Sequence, residues 1–187
     1  MDPLANLARA YDNAHRVFQG VSADRWDAAS PCAGWDARAV AGHLIGGAQM
    51  LATCAAGKPF DHASLEGDLL GADPAASFRA AADESLAAFR NDPSLMGKPI
   101  TMPFGQMPGG MLVGIFTTDA FAHAWDLAKA TGQSTDLDPE FAEGVLAAAR
   151  QFVTDDFRKP GFFDAATEAP AGASAADRLA AFLGRQV

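Results

Sequence analysis

The chain has 187 residues, enough for one domain with a sizeable core, and 49% of them are hydrophobic, which excludes a disordered chain. Its formal net charge is −9, with no basic cluster to offset it, so charge argues against nucleic acid or an anionic membrane surface as partner. No basic-then-apolar leader follows Met1, and no run approaches the roughly 18 apolar residues of a membrane span, so the expected location is the cytoplasm.

Alanine is abundant and β-branched residues are few, which favours helix. A first helix is expected from Asp2 as N-cap and Pro3 as first residue, with Leu4, Leu7, Tyr11, His15 and Phe18 on one face and Gly20 as its stop. Residues 21–35 read as a loop, with Trp26 and Trp35 as apolar anchors pinning it to the core. A second helix is expected from Asp36 to about Ala56, closed by Gly57, with Val40, His43, Leu44, Gly47, Met50, Leu51 and Cys54 on its buried side. Gly46 and Gly47 in its middle each cost about 1 kcal/mol relative to alanine, so a close approach to another helix is expected there. Residues 57–73 read as a long connection, and a third helix fits Asp73-Pro74 to Arg90.

The segment 93–110 holds four prolines and four glycines, a density taken to forbid helix, yet Ile100, Met102, Phe104 and Met107 make it apolar. It is expected to be an irregular loop forming part of a pocket wall, or else a cap on one end of the molecule. A fourth helix is expected over Gly110 to Ala130 with Gly132 as its stop. A fifth begins with Asp138 as cap and Pro139 as first residue and runs to about Phe157. A short last helix follows Ser174, whose spacing to Asp177 resembles a capping box. The expected architecture is all-α: one up-and-down four-helix bundle over 1–187, with accessory short helices and a long Pro/Gly-rich loop.

Asp119 and His123 stand four residues apart in the fourth helix and so share a face, where a carboxylate and an imidazole can converge on one metal ion. His43, on the apolar side of the second helix, is the candidate third ligand. Three N/O ligands leave coordination positions open, the arrangement of a catalytic rather than a closed structural site. His15 has the same apolar-face character and is read as structural, and His62 as exposed. Two cysteines, Cys32 and Cys54, are too few for a tetrathiolate zinc site or a disulfide framework. Cys32 is read as a small buried loop residue rather than a nucleophile, since nothing near it in sequence lowers its pKa.

The segment Ser30-Pro31-Cys32-Ala33-Gly34-Trp35 through Gly42-His43-Leu44 resembles the proline-cysteine, tryptophan, histidine-leucine signature of the mycothiol-dependent maleylpyruvate isomerase family, within the DinB/YfiT-like superfamily. Asp119 to Leu127, with its His123-x-Trp125-Asp126 core, resembles that family's second signature. The stretches Met102 to Gly109, Ala130 to Gln133 and Asp177 to Arg185 are similar to a single-domain actinobacterial-type branch of it. The resemblance implies a DinB-like bundle and a metal, zinc or alternatively nickel, on His43, Asp119 and His123. Asp126 would then be a hydrogen-bond partner of the ligating His123. Two departures matter. The isomerases usually carry glutamate where this chain has Asp119, and they carry an extra C-terminal domain that the chain is too short to include. Maleylpyruvate itself is therefore not the expected substrate.

Three functional classes follow. The first is a metal-dependent enzyme that uses a low-molecular-weight thiol, mycothiol by resemblance, for transfer to or isomerisation of a small electrophilic substrate. The second is a non-catalytic metal- or thiol-binding stress or detoxification protein of the same fold. The third is a bundle whose site has decayed and whose role is homodimerisation, and the presence of all three candidate ligands argues against it.

Overall fold

A computed structural model describes residues 2–154, 158 and 163–187. Its elements are α1 (Pro3–Gly20), α2 (Ala37–Ala55), α3 (Pro74–Asn91), β1 (Pro99–Met102), β2 (Gly105–Pro108), α4 (Gly109–Thr131), α5 (Pro139–Phe152) and α6 (Ala175–Phe182), with short 3-10 turns at His62–Leu65 and Pro93–Met96. Among the described residues the molecule is an all-α bundle with one small hairpin.

Three of the four long helices start where an aspartate caps them. Asp2 accepts from the Leu4 N–H at 3.1 Å, Asp36 from Ala39 at 2.8 Å and Asp73 from Ala76 at 3.0 Å, each satisfying an otherwise unpaired donor of the first turn. The fourth, α4, ends on Gly132 in the left-handed conformation, φ 75°, which glycine adopts at no steric cost. The four pack in the ring order α1–α3–α2–α4. Gln133, just past α4, hydrogen-bonds the carbonyl of Val17 near the end of α1, so these two helices run in parallel. Phe18 stacks on Phe78, and Tyr11 meets Ser85, so α3 runs against α1. The segment after α2 lies back along it, with Leu65 and Leu69 against Gly46 and Leu70 against Gly42. It returns the chain to the level where α2 began, and α3 then runs parallel to α2, so the expected up-and-down order is replaced by up-down-down-up.

The core joins Leu7, Tyr11, Phe18, Ile45, Leu51, Phe78, Leu86, Phe89, Leu112, Phe121 and Trp125 from all four long helices with Phe141 and Leu146 of α5 and Leu179 of α6. Burying one such side chain stabilises the fold by about 1.5–3 kcal/mol. Among the described residues, no helix is long and apolar enough to cross a membrane.

Several expectations change. The prolines and glycines of 93–110 frame regular structure instead of excluding it. Pro93 opens a 3-10 turn, and β1 pairs with β2 from Pro99↔Pro108 to Met102↔Gly105. Proline suits the strand ends, where its missing N–H breaks no ladder, and Gly105 takes φ 135° beside the turn. The hairpin leads into Gly109, ten residues before Asp119 in α4. That is about 15 Å of helix rise, so the hairpin closes one end of the bundle, away from Asp119. Asp138 precedes α5 but makes no capping hydrogen bond. At φ 39° its carboxylate instead takes two bonds from Arg9, at 2.6 and 2.7 Å. α5 ends at Phe152; of its expected extension, 155–157 lie outside the described residues. Gly46 meets the returning segment, while Gly47 faces Phe116 of α4, where an added Cβ would lie 3.7 Å from its ring.

Candidate metal centre

α2 and α4 run antiparallel and bring His43, in the second turn of α2, level with Asp119 and His123 in the middle of α4. Val40, Leu44 and Leu51 bury the inner face of α2, which leaves His43 half-exposed at the helix edge, turned toward α4. His43 Nε2 stands 3.2 Å from Asp119 Oδ1, and His123 Nε2 stands 3.5 Å from the same oxygen. The two imidazole rings meet edge to face with centroids 4.5 Å apart. Each residue offers a ligand atom, all within 4.8 Å of one another. Ligands about 2.0–2.2 Å from one tetrahedral ion stand about 3.3–3.6 Å apart, so the donor set fits a divalent ion. Side-chain exposures of 37% for His43 and 33% for Asp119 leave a face open on the solvent side.

Burial alone would push the Asp119 carboxyl up, but the His43 and His123 imidazoles outweigh it and hold the carboxyl at about 2. Burial likewise works against a charged His43, and the adjoining Asp119 carboxylate overrides it and raises the imidazole pKa. A carboxylate kept ionised between two imidazoles is the electrostatic arrangement a cation requires.

Behind this face, Asp126 is fully buried, and its Oδ2 lies 2.9 Å from His123 Nδ1. With a carboxylate there, Nδ1 is the donor, and Nε2 is left with its lone pair facing Asp119 and His43. Asp126 also takes bonds from Arg185 Nη2 at 2.9 Å, from Arg185 Nε at 3.2 Å and from the Cys32 thiol at 3.1 Å. Burial opposes its charge, but His123 and Arg185 prevail and hold the carboxyl well below its usual range. Cys32, His123 and Asp126 form a second group with metal-like spacing. That space already holds a cation, since Arg185 Nη2 also reaches Cys32 Sγ at 3.7 Å. Burial first, and Asp126 second, push the Cys32 thiol up to about 12, so it serves as a neutral donor, in line with the non-nucleophilic reading.

Trp35 does not anchor its loop in the core. It is 37% exposed and lies over the site, its ring centroid 5.1 Å from that of His43 and 5.8 Å from that of His123. Trp26 takes the anchoring role, packed on Phe18. The loop carrying Cys32 and Trp35 is held by an isolated bridge between Ala29 and Asp36 and by the Ser30 N–H to the Trp35 carbonyl at 3.0 Å. Of the other histidines, His15 is half-buried on α1 and His62 is exposed.

A cleft opens beside His43. It is lined by Arg38, Gly42, Gly46 and Met50 of α2 and by Leu65, Leu69 and Leu70 of the returning segment. This corrects the expectation for 93–110: the apolar wall next to His43 comes from 57–73, and none of the hairpin's residues lines the cleft. Sequence reasoning missed Arg185, Cys32 and Trp35 as neighbours of the site. The latter two lie within the motif that ends on His43, the one signal that pointed toward them. Arg185 lies 59 residues from Asp126; it closes the family-like stretch from Asp177, but no spacing tied it to the site.

Comparison with known proteins adds a family. Residues 7–128 match the family described as the mycothiol maleylpyruvate isomerase N-terminal domain. Two proteins of Mycobacterium tuberculosis, from different strains and each described as uncharacterized, are 42% identical to this chain over 188 residues, covering all of it and all of themselves. No solved structure matches.

Proposed function

This chain belongs to the mycothiol maleylpyruvate isomerase N-terminal domain family, and we propose that it is a cytoplasmic, metal-dependent enzyme joining a low-molecular-weight thiol to a small electrophile. The observation that carries the reading is the convergence of two imidazole nitrogens on one Asp119 oxygen, at 3.2 and 3.5 Å, with an open face beside them. His43, Asp119 and His123 would hold the ion, zinc by ligand type, within one domain spanning 1–187. The ion supplies Lewis acidity, which keeps a coordinated thiol deprotonated at neutral pH.

The chain's own residues do the rest. Asp126 fixes the His123 tautomer through Nδ1, and Arg185 fixes Asp126. Trp35 covers one flank and keeps water from the sulfur, which strengthens electrostatic interactions there. The thiol gives up its proton to solvent, and its sulfur bonds the electrophilic carbon. The displaced group leaves with the electron pair; at an activated double bond, the adjoining carbon takes up a proton instead. The family points to mycothiol as the thiol. The Asp119 side chain, shorter than glutamate, sets the reach of the donor set.

The test is turnover of an electrophile panel by zinc-loaded protein with mycothiol present. Product formation that needs both thiol and metal, and is lost in His123→Ala, is the expected result. Stoichiometric metal and thiol binding with no turnover would instead favour the non-catalytic binding protein.

A further inference from the structure

We propose that the cleft beside His43 is the seat of the electrophilic cosubstrate, and that this cosubstrate is an uncharged apolar molecule. Calling the occupant a cosubstrate rests on the thiol-transfer reading above; the apolar binding site itself does not.

The cleft has a volume of about 620 Å³, within the range of small-ligand sites. Its lining is apolar: Ala39, Met50, Leu65, Leu69 and Leu70. Arg38 and Asp68 also line it with opposite charges, so no net charge selects an anion or a cation. A polyhydroxylated thiol would leave its hydroxyls unpaired against such walls, which is costly. The apolar partner of the reaction fits and the polar one does not.

The floor supports the same assignment. Gly42, Gly46 and Gly47 all line the cleft, and glycine in a helix interior is unfavourable. Helix packing does not require it at Gly46, where an added Cβ would meet the Leu65 Cδ2 at 2.5 Å, the far end of a side chain that is itself 38% exposed. At Gly42 the nearest atom would be 3.9 Å away, on Leu70. With no side chains at these positions, Leu65, Leu69 and Leu70 close onto the α2 backbone and give the cleft an apolar floor, with His43 in the same wall.

The experiment is a fluorescence titration of the full chain with N-phenyl-1-naphthylamine, a neutral apolar dye. The expected result is one saturable site per chain. Gly46→Leu, which fills the floor and favours helix, should weaken binding at least tenfold. Leu65→Ala, which removes part of the wall at an exposed position, should weaken it at least threefold and decides the matter if Gly46→Leu does not fold. Phe104→Ala, at an exposed apolar residue of the hairpin turn, should leave binding unchanged. Cobalt(II) should quench the bound dye in the wild type and not in His123→Ala. Absence of saturable binding, or binding that both cleft variants leave within twofold, overturns the site. Cobalt that binds without quenching overturns its role as the cosubstrate's seat. If cobalt does not bind, the metal reading fails, and the dye titration still decides whether the cleft is an apolar binding site.

Discussion

Asp126 takes hydrogen bonds from His123, Arg185 and Cys32 while having no exposure to water. Such a charge is stable only while its partners remain, and removing one partner of a buried pair costs about 3–5 kcal/mol. Arg185→Met should therefore destabilise the protein by about 3 kcal/mol and lower its Tm by about 10 °C, as read by thermal unfolding. It should also weaken zinc binding, because His123 loses the carboxylate geometry that orients Nε2. Cys32→Ala, which removes only a neutral donor, should cost about 1 kcal/mol and leave zinc affinity within threefold. Equal losses of metal affinity in the two variants would show that Asp126 is not the link. At this scale the sequence was partly legible. Asp119 and His123 stood out as candidates by their four-residue spacing, because helix geometry makes local spacing spatial, and Asp126 came with the family-like motif that holds them. No spacing tied Arg185 to the site, because its contact is made by the fold and leaves no periodic trace.

The helix α5 is joined to α1 by an ion pair rather than a cap. Asp138 holds Arg9 at 2.6 and 2.7 Å and is itself bonded by Asn13 at 3.3 Å. The Arg9 hydrogen bonds lower the Asp138 pKa in the folded state. A lowered folded pKa means stability that is present above the usual carboxylate range and lost as pH falls through it. Asp138→Asn, which keeps tolerance of the left-handed backbone, should cost about 1 kcal/mol at pH 7. In paired denaturation curves that difference should hold above the usual carboxylate range and shrink only as the pH falls through and below 3.8. At the C-terminus, Ser174 accepts from the Asp177 N–H at 3.0 Å as its spacing suggested, while the Asp177 carboxylate takes the Trp125 indole N–H at 2.8 Å. Asp177→Ala should therefore destabilise more than Ser174→Ala, since it strands a buried indole donor, whereas a lost cap costs about 1 kcal/mol. The starts of α1, α2 and α3 were legible because aspartate before proline or alanine has a local reason to cap. The hairpin in 93–110 was not, because proline and glycine mark where a chain turns without saying what it pairs with.

The whole bundle buries aromatic and aliphatic side chains from α1 to α6 in one core, and the candidate ligands stand at its edge, outside that core. Chelation should therefore leave the helical circular dichroism unchanged and lower Tm only through loss of ligand-linked stability. Small zinc domains that unfold without their ion behave differently. The all-α class was legible from composition and helical periodicity. That α3 runs parallel to α2 was not, because it depends on where residues 57–73 lie, and their Gly, Pro, Asp and Ser content says only that they are not a long helix. If His43, Asp119 and His123 share one metal ion, X-ray absorption of the zinc-loaded protein reads all three ligands at once. The expected spectrum shows one zinc per chain with two imidazole nitrogens and carboxylate oxygen at about 2.0–2.2 Å, and loses that signal in His43→Ala and His123→Ala. A sulfur ligand at about 2.3 Å in the absence of added thiol would place the ion on Cys32 instead, and zinc that persists in His43→Ala with an unchanged spectrum would contradict the shared site outright.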